Sequence, residues 1–385
     1  MKRSVDRILT THTGSLPRPA DLAEMIVAHE RGEDVPGFDQ RVEQAVQDVV
    51  RRQREVGLDI INDGEQGKVN YVSYFRHRVT GFEGEPTPGS PQADVLEFPD
   101  FYKRVWWATP EAAQNVCLRT CNGPIKVKSL DSLRVEIATL KAAADASGAQ
   151  EVFMTAVSPG LIATGHANAY YPSRGEYLAA IASAMREEYE EIAKAGLVLQ
   201  LDCPDLAMAK NMWFSDMTLE DFRRLAFEHV EALNDATRNI DPDQMRMHVC
   251  WGNSETPHHR DIALKDILDI VLSARPNGIA LEAANPRHQH EWRVFEDHKL
   301  PDGKVLIPGV LDTTTNFIEH PEVVAQRLEN YVRLVGQENV IAGNDCGFGT
   351  AVGLEMVDRN VAWAKFEAMV EGARIASKQM ATAGV

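Results

Sequence analysis

Short apolar runs rich in β-branched residues alternate with amphipathic stretches along this 385-residue chain, and that alternation limits the folds open to it. The runs are RILTTH (7–12), LDIINDG (58–64), PIKV (124–127), VFMTAV (152–157), LVLQLD (197–202), RMHVC (246–250), GIALEA (278–283), VLIPGVL (305–311) and NVIAGND (339–345). Between them, apolar residues recur at helical spacing over 39–56, 131–147, 175–195, 218–238, 261–274, 321–335 and 355–380. Strand alternating with helix predicts a parallel sheet covered by helices, here an α/β fold of the (β/α)8 TIM-barrel type. Nine runs are one too many for eight strands, so PIKV, or a run near the N-terminus, becomes a hairpin or rim element. No linker divides the chain, which reads as a single barrel domain over 1–385. A Gly- and Pro-rich loop insertion at about 81–110 either folds over a site or lies on the surface.

The polar residues just past each apolar run carry the chemistry. TTH leads to TGS (13–15), IIND to GEQGK (64–68), LQLD to CPD (203–205) and HVC to WGN (251–253). Further on, LEA leads to ANPRH (284–288), VLD to TTTN (313–316) and GND to CGFGT (346–350). In a barrel of this kind the active site is built at the C-terminal ends of the strands. Residues i and i+2 on a strand share a face, so His248 and Cys250 present an imidazole and a sulfur to one point. Glu282 ends the next strand and Cys346 comes just after the last. A His/Cys/Glu/Cys set suits zinc. Its dispersal over several strands is unlike the close ligand pairs of a small structural knuckle. Against this stands the plain alternative that buried cysteines are common as small hydrophobes.

The five cysteines, Cys117, Cys121, Cys203, Cys250 and Cys346, are scattered and odd in number, which speaks against a disulfide framework and for a reducing, cytoplasmic setting. Forty Lys and Arg against 57 Asp and Glu give a net charge of −17, which argues against nucleic acid or an anionic membrane as the main partner. No apolar run is long enough to span a bilayer, and MKRSVDRILTTHTG lacks the apolar core of a secretory signal. Cys117 and Cys121, at i and i+4, would share a helix face as packing residues. His258-His259 and the HQH of 288–290 are either metal ligands or, as is commoner for loop histidines, solvated, and Trp106-Trp107 read as a lid or a loop anchor.

Taken jointly and in order, THTGSLPRP (11–19), NDGEQ (62–66), EIAKAGLVLQLDCPDLA (191–207), HVCWGN (248–253), IALEAAN (279–285), PGVLDTTTNFIEHPE (308–322) and NDCGFGT (344–350) resemble the catalytic barrel of the cobalamin-independent methionine synthases. The resemblance covers essentially the whole chain, in the form of a stand-alone catalytic domain. It implies zinc as cofactor, with His248, Cys250, Glu282 and Cys346 as ligands, and transfer of an alkyl group, methyl above all, to a small thiol such as homocysteine. It implies further that Gly14 and Ser15 border the thiol substrate and that Glu65 and Asp202 grip its ammonium, a charge-assisted arrangement.

The chain departs from the family at two places. Cys203 comes after Asp202 where the family has a second acid, and Thr314 stands where the family has a proton-donating histidine. The tryptophan that stacks the pterin has no counterpart near 157–171. A methylated folate nitrogen must be protonated before it leaves. The DTTTN element is closer to the epoxyalkane:coenzyme M transferase branch, in which a zinc-activated thiolate opens an epoxide. His12, His166, Tyr170 and Tyr171 are candidate acids for such an alkoxide, and His12 and Asp312 are carried as catalytic candidates. A sulfonate-bearing thiol would need a cation such as Arg18, Lys68 or Arg287. A metal-free decarboxylase of similar fold, or a non-catalytic binding barrel, would leave the converging histidine and cysteines unexplained.

Overall fold

A computed structural model describes residues 1–87, 89, 91–108 and 118–383. Eight parallel strands form the barrel: β1 (Leu9–Thr10), β2 (Ile60–Ile61), β3 (Glu151–Val157), β4 (Val198–Asp202), β5 (Met245–Val249), β6 (Gly278–Leu281), β7 (Val305–Pro308) and β8 (Ile341–Ala342). Strands β2 to β7 pair in sequence order and β1 pairs with β8. The bridges Leu306–Val340 and Gly309–Gly343 join β7 to β8. The Asp59 N–H donates to the Thr10 carbonyl at 3.1 Å and closes the seam between β1 and β2.

The supernumerary run is PIKV. It contributes only an isolated antiparallel bridge, Val79–Val127, on the barrel rim. Buried on both faces, the strands need apolar side chains in near-continuous runs, which is how β3 to β7 read in the sequence. Six of the eight strands are shorter than their apolar runs, β3 and β5 being the exceptions, because the polar residues at their C-terminal ends turn into loops. The amphipathic stretches become helices Phe38–Glu55, Asp131–Ser147, Arg174–Lys194, Leu219–Ala236, Pro321–Val335 and Arg359–Ala383. The stretch 261–274 splits into a 3-10 turn, Leu264–Asp266, and a short helix, Leu268–Ser273. No helix among the described residues is long and apolar enough to cross a membrane.

The barrel interior is layered. Ile60, Phe153, Val198, Ala280, Val305, Ile307 and Ile341 form an apolar floor. Above it Arg246, 1% exposed, lays its guanidinium 3.5 Å from the centre of the Phe153 ring. Arg246 donates to Gln200 Oε1 at 2.7 Å, to Thr11 Oγ1 at 2.9 Å and to the His12 carbonyl at 2.6 Å. Gln200 in turn donates to Asp202 Oδ1 at 2.8 Å, so a buried cation stands under the acids at the top of the barrel.

The 81–110 insertion is more ordered than its composition predicts. It contains helices Ala93–Leu96 and Pro99–Ala108. Val95 and Asp94 are buried, and Asp94 Oδ2 accepts the His258 N–H at 2.7 Å. This segment therefore packs on the loop after β5. The side chains of Trp106 and Trp107, and all of Cys117, lie outside the described residues. Cys121 sits on an extended segment bridged to Asn168, not on a helix.

Candidate active site

Strand β5 points His248 inward and places Cys250 one residue past its end, on the same face. The turn after β8 brings Cys346 opposite. Cys346 Sγ lies 3.0 Å from Cys250 Sγ, 3.5 Å from His248 Nε2 and 3.6 Å from Glu282 Oε1. The ligand atoms of His248, Cys250 and Cys346 all fall within 4.8 Å of one another, and all three side chains are buried. Those separations approach the edge of a zinc-centred tetrahedron with sulfur and nitrogen ligands, roughly 3.5–3.8 Å. His248 Nδ1 is buried without a hydrogen-bond partner among the described residues. The donor set, its spacing and its burial therefore fit zinc.

Electrostatics divide the four groups. Burial holds His248 down to about 4, so its ring is the neutral imidazole a metal accepts. The hydrogen bond from Cys346 holds Cys250 below the usual thiol range, with the Gly252 N–H assisting and burial opposing. Burial, then the Cys250 thiolate, pushes Cys346 well up. Burial, then the charges of Cys250 and Asp345, does the same to Glu282. The shell behind them is well made. Glu282 accepts from the Trp251 N–H at 2.7 Å and from Asn285 Nδ2 at 2.8 Å. Asp345 accepts the N–H groups of Ala283, Ala284 and Asn285 at 2.7–2.8 Å, tying the β6 and β8 turns together.

The residues expected to hold the thiol substrate come from β1, β2 and β4. Glu65 adopts φ +55°, a left-handed conformation uncommon for a non-glycine residue. It is pinned by Arg18, which donates to its carbonyl at 2.9 Å. Its Oε1 accepts from Thr155 Oγ1 at 2.8 Å, while Oε2 is buried without a partner among the described residues. Burial, then the charge of Glu65, pushes Asp202 up to about 7. Two buried acids with an unfilled oxygen are what a cationic ligand group would satisfy. Gly14 has φ +148°, and a Cβ there would lie 2.7 Å from Thr155 Cγ2 and 3.0 Å from Glu65 Oε1. Gly14→Ala is therefore expected to cost about 1–3 kcal/mol of stability, read by urea unfolding. It should also weaken thiol binding by displacing Glu65.

A cavity of about 520 Å³ opens beside Cys346 and Glu282 toward the loops after β5, β6 and β7. Among its lining residues are Asn253, His258, Arg287, Asp312 and Thr313–Thr315. Asp312 is a structural acceptor here: its carboxylate takes Thr314 N–H, Thr314 Oγ1 and Thr315 Oγ1 at 2.8–2.9 Å. His258 and His288 are not solvated loop residues. Both donate to Asp261 Oδ2, at 2.7 and 3.1 Å, and His288 Nδ1 meets Glu291 Oε2 at 2.8 Å. Against the lowering effect of burial, Asp261 holds His258 up to about 9, and Asp261 with Glu291 holds His288 up to about 10. Folded values above the unfolded one mean stability fully present below about pH 6.5. It is lost as pH rises through about 9–10. Hydrogen exchange should show residues 251–264 losing protection across that window.

Other candidates lie elsewhere. His12 is 1% exposed and bonds Gln53 Oε1 at 2.7 Å, with Phe153 and Phe366 against its ring. Burial takes it down to about 3, and it does not line the cavity. His166 is packed between Phe75 and Phe82 and bonds the Arg119 backbone; burial lowers it to about 4. The Tyr171 hydroxyl accepts the Ile125 N–H, and Tyr170 is exposed. None of these serves the cavity as an acid. Of the three cations, Arg18 and Lys68 are spent on internal partners, Lys68 on Thr155 and the Tyr74 ring. Arg287 alone of the three lines the cavity.

Comparison with known proteins places the chain. Residues 8–89 and 162–374 match the family model described as the cobalamin-independent synthase catalytic domain. The methionine synthase of Saccharolobus solfataricus is 24% identical over 381 residues, spanning 97% of this chain and 96% of that one. The 2-hydroxypropyl-CoM lyase of Xanthobacter autotrophicus is 25% identical over 409 residues, spanning 98% and 96%. Among solved structures, a B12-independent methionine synthase from Shewanella sp. W3-18-1, in complex with selenomethionine, superposes with a TM-score of 0.74 at 19% identity. That alignment covers 98% of this chain and 99% of the other, and shares the barrel fold.

Proposed function

The chain belongs to the cobalamin-independent synthase catalytic-domain family, and from that premise we propose that it transfers an alkyl group, in the first place methyl, to a small amino-acid thiol such as homocysteine. His248, Cys250, Glu282 and Cys346 would hold zinc. The observation that carries this reading is the convergence of two sulfurs, an imidazole and a carboxylate, together with buried Glu65, whose Oε2 has no partner among the described residues. Zinc, when bound, lowers the pKa of a substrate thiol and so supplies a nucleophilic thiolate at neutral pH.

The protein's own residues do the rest. Glu65 and Asp202 take the substrate ammonium, whose charge offsets the burial and the Glu65 repulsion that together hold Asp202 up. Arg246 and Gln200 keep Asp202 from swinging away. Asp345 holds the Glu282 and Cys346 turns at fixed separation. The alkyl donor occupies the 520 Å³ cavity on the open side of Cys346.

A second reading, epoxide opening, is favoured by one observation: Thr314 lines the cavity where the family has a histidine, and a strained epoxide, unlike a methylated folate nitrogen, needs no protonation before its bond begins to break. The test is a panel of homocysteine and coenzyme M against methyl donors and an epoxide, with zinc-loaded and chelator-washed protein. Alkylation of the amino thiol, lost on washing and in Cys250→Ser, supports the main reading. Alkylation of coenzyme M alone turns the reading to the second. Equal rates with and without metal defeat both.

A further inference from the structure

Whether the leaving atom is an amine nitrogen or an epoxide oxygen, it must take up a proton as its bond to carbon breaks. The ionisable groups lining the cavity are Glu255, His258, Glu282, Arg287, Asp312, Asp345 and Cys346. Glu282 and Cys346 belong to the metal set. Asp312 and Asp345 are occupied as acceptors of N–H and O–H groups. Glu255 is an exposed carboxylate, and a guanidinium does not release its proton. The remaining group is His258. Resting on the alkyl-transfer reading, we infer that His258 is the catalytic acid of this site, giving the proton on Nε2 to the atom that leaves the transferred carbon.

The local structure is built around that ring. His258 has φ +55°, one of two non-glycine residues described with positive φ, the other being Glu65. Strain of this kind persists only where the surroundings hold it. Asp94 Oδ2 takes the backbone N–H at 2.7 Å. Asp261 Oδ2 takes Nδ1–H at 2.7 Å and is itself 1% exposed in its side chain. With Nδ1 committed to Asp261, the transferable proton is the one on Nε2, which rests on the Ser254 carbonyl at 2.9 Å. A leaving atom in the cavity displaces that carbonyl. The charged groups around the ring are Asp261, Asp94, Glu282 and the Cys250 thiolate on the acidic side, with His288 and Arg287 on the basic side. The Asp261 pairing keeps the ring protonated up to about pH 9.

The step balances. A sulfur lone pair forms the S–C bond while the C–N or C–O bond breaks. The broken bond's electron pair stays on nitrogen or oxygen, which receives the Nε2 proton. His258 is left neutral and regains a proton from solvent.

The test compares two alkyl donors on the same amino thiol with zinc-loaded protein. An epoxide needs a proton on its leaving oxygen; an alkyl iodide does not. In wild type the epoxide rate should fall on the alkaline side as the ring loses its proton, while the iodide rate does not. In His258→Gln the ratio of epoxide to iodide rates should drop by about 10²–10⁴-fold, with zinc content unchanged. Asp261→Asn should move the epoxide limb to lower pH. An unchanged ratio, or a wild-type limb shared by both donors, overturns the assignment and leaves thiol activation standing. Failure of wild type to alkylate any thiol overturns the alkyl-transfer reading and this assignment with it.

Discussion

Cys346→Ser is expected to lower zinc affinity by more than the roughly 10–100-fold that loss of a partner behind a metal ligand costs. The reason lies in what the sulfur touches. Cys346 Sγ is the hub of the cluster, 3.0 Å from Cys250 Sγ, 3.5 Å from His248 Nε2 and 3.6 Å from Glu282 Oε1. A serine hydroxyl is shorter, harder and not ionised at neutral pH, so it replaces neither the reach nor the charge of a thiolate. Fold should survive, because Cys346 is held by its neighbours. Asn344 Nδ2 donates to its carbonyl, and Phe348 N–H donates to the Ser15 carbonyl at 2.9 Å. Competition against a chromophoric zinc chelator, with circular dichroism as a control on folding, reads the loss. Zinc affinity equal to wild type would remove Cys346 from the metal set.

The largest effect on stability is expected at Lys365. Its side chain is 0% exposed, and its ammonium sits 2.9 Å from Glu319 Oε2, which is 8% exposed. Glu319 Oε1 accepts the Asp312 N–H at 2.8 Å, so this pair anchors the β7 loop to the helix Arg359–Ala383. Lys365→Met keeps the volume and leaves a buried carboxylate unpaired, a change that costs about 3–5 kcal/mol. Adding Glu319→Gln removes the stranded charge but keeps an acceptor for Asp312 N–H, and should restore most of that loss. Urea unfolding midpoints of the single and double variants measure both. A loss below about 1 kcal/mol in the single variant would mean that water reaches the pair.

Much of the fold is legible in the sequence because parallel strands buried on both faces must be apolar throughout. Eight of the nine runs form strands, and PIKV is the one that does not. The insertion at 81–110 is less legible. Its Gly and Pro content masks two short helices whose burial depends on contacts with the β5 loop. The metal candidates are readable since each stands at a strand end, where packing gives such residues little purpose.

The same logic fails at His12. It too lies just past a strand, but its ring is buried between Phe153 and Phe366 and pairs with Gln53 of helix Phe38–Glu55. Alternation along so short a strand does not fix the direction of a residue beyond its end. His258 and His288 depart in the opposite sense, since their loop positions suggest solvation although they form a buried network. A local signal is present: each has an acid three residues on, Asp261 and Glu291, and each donates Nδ1–H to it. Asp345 is visible in the sequence only as the residue before Cys346. Its three backbone N–H partners come from a turn about sixty positions back, which no local pattern shows.

If the cluster at the ends of β5, β6 and β8 activates a thiol, a thiol bound there must give up its proton. Calorimetric titration of homocysteine into zinc-loaded protein, run at neutral pH in buffers of different ionisation enthalpy, tests it directly. About one proton should be released per thiol bound. The S-methyl thioether, and homocysteine with the Cys250→Ser protein, should each release about one proton fewer, leaving only what Asp202, held up to about 7, gives up to the ammonium. Binding without proton release, or equal release from Cys250→Ser, would contradict it.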